Sequence, residues 1–166
     1  ISLIIGKEII LLDSDFTDSE LVKLTGYSEY EKFTQLIDKG SFSLLSNKVE
    51  LIEKLRNTCN YWKATLFTSG TTGIPKKVTH NFNSITRFVK ISEHNTNSIW
   101  GFAYNSTHMA GIQVFFQALL NGNAIVRLFG MTPNEIHSEI KENGITHISA
   151  TPTFYRLLLP CDETFQ

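Results

Sequence analysis

Cysteine is almost absent: Cys59 and Cys161 are the only two in 166 residues. They form no C-x-x-C pair, which excludes a disulfide framework and a thiolate zinc site and points to a reducing, cytoplasmic setting. A charge of one sign is missing as well. Fifteen Lys and Arg face sixteen Asp and Glu, a net −1, so there is no electrostatic footprint for nucleic acid or an anionic membrane. No apolar run approaches the roughly 20 residues of a membrane-spanning helix. The opening "ISLIIGKEIILL" carries Lys7 and Glu8 and no small-residue cleavage site, which argues against a signal peptide. Repeats and low-complexity linkers are also absent. What is present is 42% hydrophobic residues, enough to bury a core and too many for a disordered chain. The length suits one domain of ordinary size. The chain starts with Ile rather than Met, and a trimmed fragment is expected.

Two textures follow one another. Residues 1–63 read as a helix-rich lead-in. "IILL" at 9–12 fits a short buried strand. Thr17 and Glu20 form a capping box flanked by Phe16 and Leu21 at the staple positions, opening a helix that stops near Gly26. "SEYEKFTQLIDKG" reads as a second helix ended by Gly40, and "NKVELIEKLRN" as a third capped by Asn47. From residue 64 strands and helices alternate. "ATLFT" is a strand and "NSITRFVKI" a helix. "SIWGFAY", "AIVRLF" and "THISA" are strands separated by the helices "MAGIQVFFQALLNG" and "TPNEIHSEIKENG". The latter helix has its own capping box (Thr132, Glu135), with Pro133 at its first position and Gly144 past its end. "PTFYRLLL" is a short last helix. This alternation predicts an α/β fold, a mostly parallel sheet flanked by helices, with strands buried on both faces. Gln113 and Gln117 lie one turn apart on the otherwise apolar helix 109–120. They are read as its solvent face in preference to a pocket wall.

The segment "LFTSGTTGIPKKVTH", residues 66–80, asks for an explanation. Ser69, Thr71 and Thr72 supply hydroxyl donors, Gly70 and Gly73 permit close backbone approach, and Lys76 adds a mobile point charge. Gly-rich turns of this kind form anion-binding concavities. A plain turn with two solvated lysines would need neither three hydroxyls in four positions nor the S-G-T-T-G-x-P-K order. A Walker A loop is disfavoured: the glycines are too close, and Pro75 precedes the lysine and blocks immediate helix formation. Pro75 also favours an extended Ile74, so the chain is expected to turn back as a hairpin.

In this order the segment resembles the phosphate-binding signature of the adenylate-forming superfamily, which includes acyl-CoA synthetases, luciferases and peptide-synthetase adenylation domains. Phe67, Thr68, Ser69, Gly70, Thr71, Thr72, Gly73, Pro75, Lys76, Val78, Thr79 and His80 match. Lys77 departs, where Gly is usual. "THMAGIQVFFQALLNGNAIVRL" is similar to the family's H-x-x-G segment, with His108 and Gly111 in the matching places, and "ITHISATPTFYRLLL" to its T-H-x-x-x-x-P-[ST] stretch. The resemblance covers residues 64–160 well and residues 1–63 loosely. Its second and third segments are nearest in tone to o-succinylbenzoate–CoA ligase and related acyl-CoA ligases.

The resemblance implies part of the large N-terminal domain of such an enzyme, with the C-terminal lid absent. It implies activation of a carboxylic acid by ATP and transfer of the acyl group to coenzyme A. Thr68, Ser69, Gly70, Thr71, Thr72, Gly73 and Lys76 would hold the β- and γ-phosphates. His108 would be catalytic, sitting where carboxylate and α-phosphate meet, and Gly111, Thr151 and Pro152 would border the acyl site. The Glu that holds Mg²⁺, the adenine and ribose segments and the lid lysine have no counterpart before Gln166. The fragment is therefore expected to be inactive alone. A truncated, non-catalytic binding or scaffolding module and an adenylation domain loading a carrier protein are the alternatives. The other histidines read as structural: His80 beside the loop, His94 and His137 on the surface, His147 in a buried strand. Asp13 and Asp15 read as a strand end entering a capped helix. The apolar "FYRLLL" is expected to be exposed and to support self-association.

Overall fold

The computed structural model describes residues 2–3, 6–26, 47–68 and 75–159. The helix expected over 28–40 lies outside them. The chain divides into two compact units, Ile1–Ile85 and Thr86–Gln166.

In the first unit, β1 (Ile9–Ile10), β2 (Lys63–Thr68) and β3 (Lys76–Asn81) form a sheet in that order. β1 is parallel to β2, and β3 is antiparallel to it. The hairpin expected from Pro75 is thus present. β1 is shorter than the four residues of "IILL", and Ile10 is exposed where burial was expected. Only Leu11 continues the ladder, its N–H donating to the Thr65 carbonyl at 3.0 Å. Central β2 buries Ala64, Thr65 and Leu66 in succession, as a strand with neighbours on both sides does.

Helix α1 (Asp18–Thr25) begins with the capping box read from the sequence: Glu20 N–H donates to the Thr17 hydroxyl, and Thr17 N–H to the Glu20 carboxylate at 2.9 Å. Gly26 ends it at φ 78°, a left-handed conformation that favours glycine. Helix α2 (Lys48–Thr58) is capped by Asn47, which accepts from Glu50 N–H at 3.0 Å, and runs into a 3-10 turn, Cys59–Tyr61. The core gathers Leu3, Leu55, Cys59, Trp62, Phe82 and Ile85. Trp62 and Phe82 meet edge to face at 6.3 Å.

Helix α3 (Phe82–Thr86) is five residues long, against the nine of "NSITRFVKI". Competition shortens it. To extend the helix, Lys90 N–H would have to donate to the Thr86 carbonyl. It donates instead to the Gln117 side-chain carbonyl at 3.0 Å, while Gln117 and Asn121 amides donate to the Lys90 carbonyl, each at 3.0 Å. Asn121 also accepts from Ser92 N–H at 3.2 Å. Gln117, read as solvent-facing, is half-buried and clamps this segment.

The second unit is the βαβ portion. β4 (Ile99–Phe102), α4 (Met109–Leu120), β5 (Ala124–Arg127), α5 (Pro133–Asn143), β6 (His147–Ser149) and α6 (Pro152–Leu157) follow in sequence. Their strands form an all-parallel sheet in the order β5-β4-β6. β5 stops before Leu128, because the N–H groups of Leu128 and Phe129 both turn to the Phe102 carbonyl, at 2.9 and 3.0 Å. α5 carries the expected capping box (Thr132 N–H to Glu135 at 2.7 Å) and ends at Gly144, φ 60°. These bonds from Thr132, its backbone N–H first and its hydroxyl second, hold the Glu135 carboxyl below its usual range.

One sheet face is covered. Gly101, Val126 and Ile148 stand side by side in register. Val126 and Ile148 pack on the core of Leu128, Ile136, Ile140 and Leu158. The other face corrects the expectation of two-sided burial. Trp100, Ile125 and His147 share it; Ile125 is 37% exposed, and His147 is exposed with its ring stacked on Trp100 at 5.1 Å. In a three-stranded sheet only β4 is internal, so residues of the edge strands β5 and β6 keep contact with solvent. At the end of α6, Leu157 and Leu159 are 64% and 67% exposed while Leu158 is buried, so "FYRLLL" is exposed in part, as expected.

Candidate functional site

The phosphate-loop candidates divide by what the structure describes. Ser69, Gly70, Thr71, Thr72 and Gly73 lie outside the described residues. Thr68 and Lys76 lie inside. They are the last register pair of the β2–β3 hairpin, directly opposite one another at the end where the connecting segment 69–75 begins and ends, and both are exposed. Side chains of a cross-strand pair share a face, and successive residues alternate. Lys76 therefore stands on the face of Thr68, and Lys77 on the other with its partner Phe67. The two adjacent lysines are not equivalent. The hairpin is pinned below this end by fully buried Thr65, whose hydroxyl meets that of Thr79 at 2.7 Å and donates to Glu8 at 3.1 Å. Phe67 sets edge-on against Phe16 at 5.7 Å.

In the second unit, His108 and Gly111 follow the carboxyl end of β4, and Thr151 and Pro152 follow that of the adjacent parallel strand β6, the end at which open α/β sheets bind ligands. His108 is the N-cap of α4, is exposed, and makes no side-chain cap bond there. Helices α1, α2 and α5 all carry a side-chain cap. The turn that delivers His108 is built by Asn105. Its carbonyl accepts from His108 N–H at 3.2 Å. Its side-chain oxygen accepts from Thr107 N–H at 3.0 Å and from the Thr107 hydroxyl at 2.8 Å. This is an Asx-turn inside a β-turn.

Gly111 is buried under that turn. A Cβ at this position would fall 2.2 Å from the Asn105 carbonyl oxygen and 3.1 Å from Ser106 Cα. The glycine of H-x-x-G is thus required by the close passage of its own preceding loop. Thr151 caps α6, accepting from Phe154 N–H at 3.2 Å, and Pro152 holds the first helical turn. Tyr155, on that helix, donates to the Ile148 carbonyl at 2.7 Å. Partial burial, and secondarily Tyr104 nearby, push its phenol up.

Other candidates fall away. His94 is exposed in a 3-10 turn, and His137 is half-buried on α5. Exposed His147 donates to or accepts from the Thr146 hydroxyl at 2.8 Å through Nδ1. The Asp13 carboxylate accepts from Asp15 N–H at 3.3 Å, a local turn before α1. Burial pushes the Cys59 thiol up, away from nucleophilic reactivity. Among the described residues no three His, Cys, Asp or Glu side chains gather into a metal position, and no helix is long and apolar enough to cross a membrane. The sequence reading missed Asn105. Its signal was there: an Asn two residues before a Thr, just after a strand, is an Asx-turn pattern.

Residues 10–166 match the family described as AMP-binding enzyme. The 2-succinylbenzoate–CoA ligase of Bacillus subtilis (strain 168) is 28% identical over 160 residues, 93% of this chain and 30% of that protein. A ligase of the same name from Staphylococcus epidermidis is 28% identical over 103 residues, 60% of this chain and 22% of that protein. The chain thus spans less than a third of these relatives. Among solved structures, o-succinylbenzoate coenzyme A synthetase (MenE) from B. subtilis in complex with AMP matches 98% of this chain and 48% of its own, at TM-score 0.64 and 19% identity. The N-terminal domain of FACL13 from Mycobacterium tuberculosis covers 99% of this chain and 48% of its own, at TM-score 0.63 and 16% identity. These likenesses show a shared fold.

Proposed function

Because the chain belongs to the AMP-binding enzyme family, we propose that it is the phosphate-cradle and acyl-site portion of an ATP-dependent carboxylate-activating ligase. In this reaction a carboxylate oxygen attacks the α-phosphorus of ATP, pyrophosphate leaves, and an acyl-adenylate forms. The thiol of coenzyme A then attacks the acyl carbonyl, AMP leaves, and a thioester results. Catalysis of this kind is positioning plus charge stabilisation.

The observation that carries the reading is the Thr68–Lys76 pair at the loop end of the hairpin. It places one hydroxyl and one cation on the same face, flanking the Ser69–Gly73 donors, which suits the leaving pyrophosphate. His108 orients the carboxylate against the α-phosphate, and Gly111, Thr151 and Pro152 shape the approach of the acyl group. The described residues bring no three carboxylate, imidazole or thiol ligands together, so Mg²⁺ is assigned to none of them. The relatives' names make 2-succinylbenzoate the first carboxylate to test.

Calorimetric titration of the 166-residue chain with pyrophosphate tests the cradle. Lys76→Ala should weaken binding about tenfold, the worth of one charge-assisted contact, and Lys77→Ala should not. Equal effects of the two substitutions would defeat the assignment. The chain should not catalyse ATP–pyrophosphate exchange alone. The full-length protein should do so with its carboxylate, and coenzyme A or a carrier thiol as acceptor then separates the two ligase readings.

A further inference from the structure

We propose that Asn105 is a positioning residue that fixes His108 for the reaction; the inference rests on the role given to His108 above. Both the backbone carbonyl and the side chain of Asn105 hold this turn. Its carbonyl holds the His108 N–H at 3.2 Å. Its side-chain oxygen closes the turn through both the N–H and the hydroxyl of Thr107, at 3.0 and 2.8 Å. Its carbonyl also lies so near Gly111 that a methyl group there would meet it at 2.2 Å.

The turn is therefore held from within by the Asn105 amide and from below by the α4 backbone. His108 is its last residue and the N-cap of α4, with extended φ −98° and ψ 155°. A histidine at an N-cap that makes no cap bond contributes little to helix stability, since Ser, Thr, Asp or Asn would do that task better. The elaborate support fits a residue whose direction matters. Asn105 touches no reacting atom in this scheme and acts through the backbone of residue 108.

Two arms separate this proposal from the reading on which it rests. In the first, carbon-13 and nitrogen-15 spectra of histidine-labelled 166-residue chain report the His108 χ1 couplings, with His108→Gln supplying the assignment. Wild type and Asn105→Asp, which keeps the acceptor oxygen, should show a single rotamer, and Asn105→Ala an averaged one. Thr107→Val, which removes one of the two bonds to that oxygen, should lie between them. Couplings unchanged in Asn105→Ala would overturn the proposal whatever the enzyme does.

In the second arm, ATP–pyrophosphate exchange is measured in the full-length protein. Asn105→Ala should lower kcat about 10- to 100-fold with KM for ATP unchanged, Asn105→Asp should restore it, and Asn105→Ala should add little in a His108→Gln background. Loss of activity in Asn105→Ala with full additivity in that background would also overturn it. If the couplings move but His108→Gln is fully active, the role of His108 falls, and with it the claim that Asn105 serves the reaction.

Discussion

Replacing Gly101 with Ala tests whether β4 is packed as tightly as its contacts require. A Cβ at residue 101 would lie 2.6 Å from Leu128 Cδ1, 2.9 Å from Ile148 Cγ1 and 3.3 Å from Ile145 Cγ2. Carbon atoms rest at about 3.5–4.0 Å, so the methyl overlaps Leu128 by roughly 1 Å. Leu128 is fully buried in the cluster under α5 and has little room to retreat. Overpacking of this order costs about 1–3 kcal/mol. Leu128→Ala alone, a large-to-small change at a buried site, should cost about 2–5 kcal/mol. In the double substitution the new methyl enters the space the leucine vacated. The two changes should then couple favourably by about 0.5–3 kcal/mol.

Urea unfolding followed by tryptophan fluorescence measures this directly. The chain has two tryptophans; Trp62 lies in the first unit and Trp100 in β4 beside the mutated site. In a Trp62→Phe background the remaining indole reports the second unit. A Gly101→Ala chain as stable as its parent, or strict additivity with Leu128→Ala, would refute the packing argument.

Three further outcomes are expected. Thr132→Ala removes the N-cap hydroxyl of α5 and should cost about 1 kcal/mol near neutral pH, read by urea unfolding. Since the folded Glu135 carboxyl lies below its usual value of 4.5, its contribution is present above pH 4.5 and is lost as the pH falls through the folded value; the parent should therefore lose stability more steeply in acid than Thr132→Ala. Gln117→Leu should release the N–H of Lys90, raising amide exchange at Lys90 while leaving α5 protected; unchanged exchange at Lys90 would contradict the clamp. Finally, exposed Leu157 and Leu159 should promote association of the 166-residue chain, visible by light scattering and reduced by Leu157→Ser. A clean monomer at high concentration would count against it.

What could be read from the sequence was what is decided locally. Both capping boxes act over four residues, and Thr17–Glu20 and Thr132–Glu135 stand as their spacing indicates. The glycine stops at Gly26 and Gly144 depend on one φ angle each. The βαβ alternation and the parallel sheet were also legible, because hydrophobic period and turn chemistry agreed. The length of α3 was not. It is set by side chains 27 and 31 residues further on, which capture the Lys90 carbonyl. Burial of β5 and β6 was misjudged for a related reason: the same apolar run suits an inner strand or an edge, and strand order decides which. At the candidate site, H-x-x-G was visible, but the reason for the glycine was not. It lies in a carbonyl six residues upstream that only the folded turn brings overhead.

The amide grip of Gln117 and Asn121 has one more consequence. Helix α4 is held at both ends, by the Asn105 turn seated on Gly111 and by the Lys90 segment bound to its last turns. Its length thereby becomes a matter of phase. One inserted residue would rotate everything beyond it by about 100°, swinging both amides off the Lys90 backbone or His108 off its turn. Insertions of whole turns, near four or seven residues, would keep the two ends in phase. Natural or engineered variation in this helix should therefore come in steps of a turn, as teeth on a gear do.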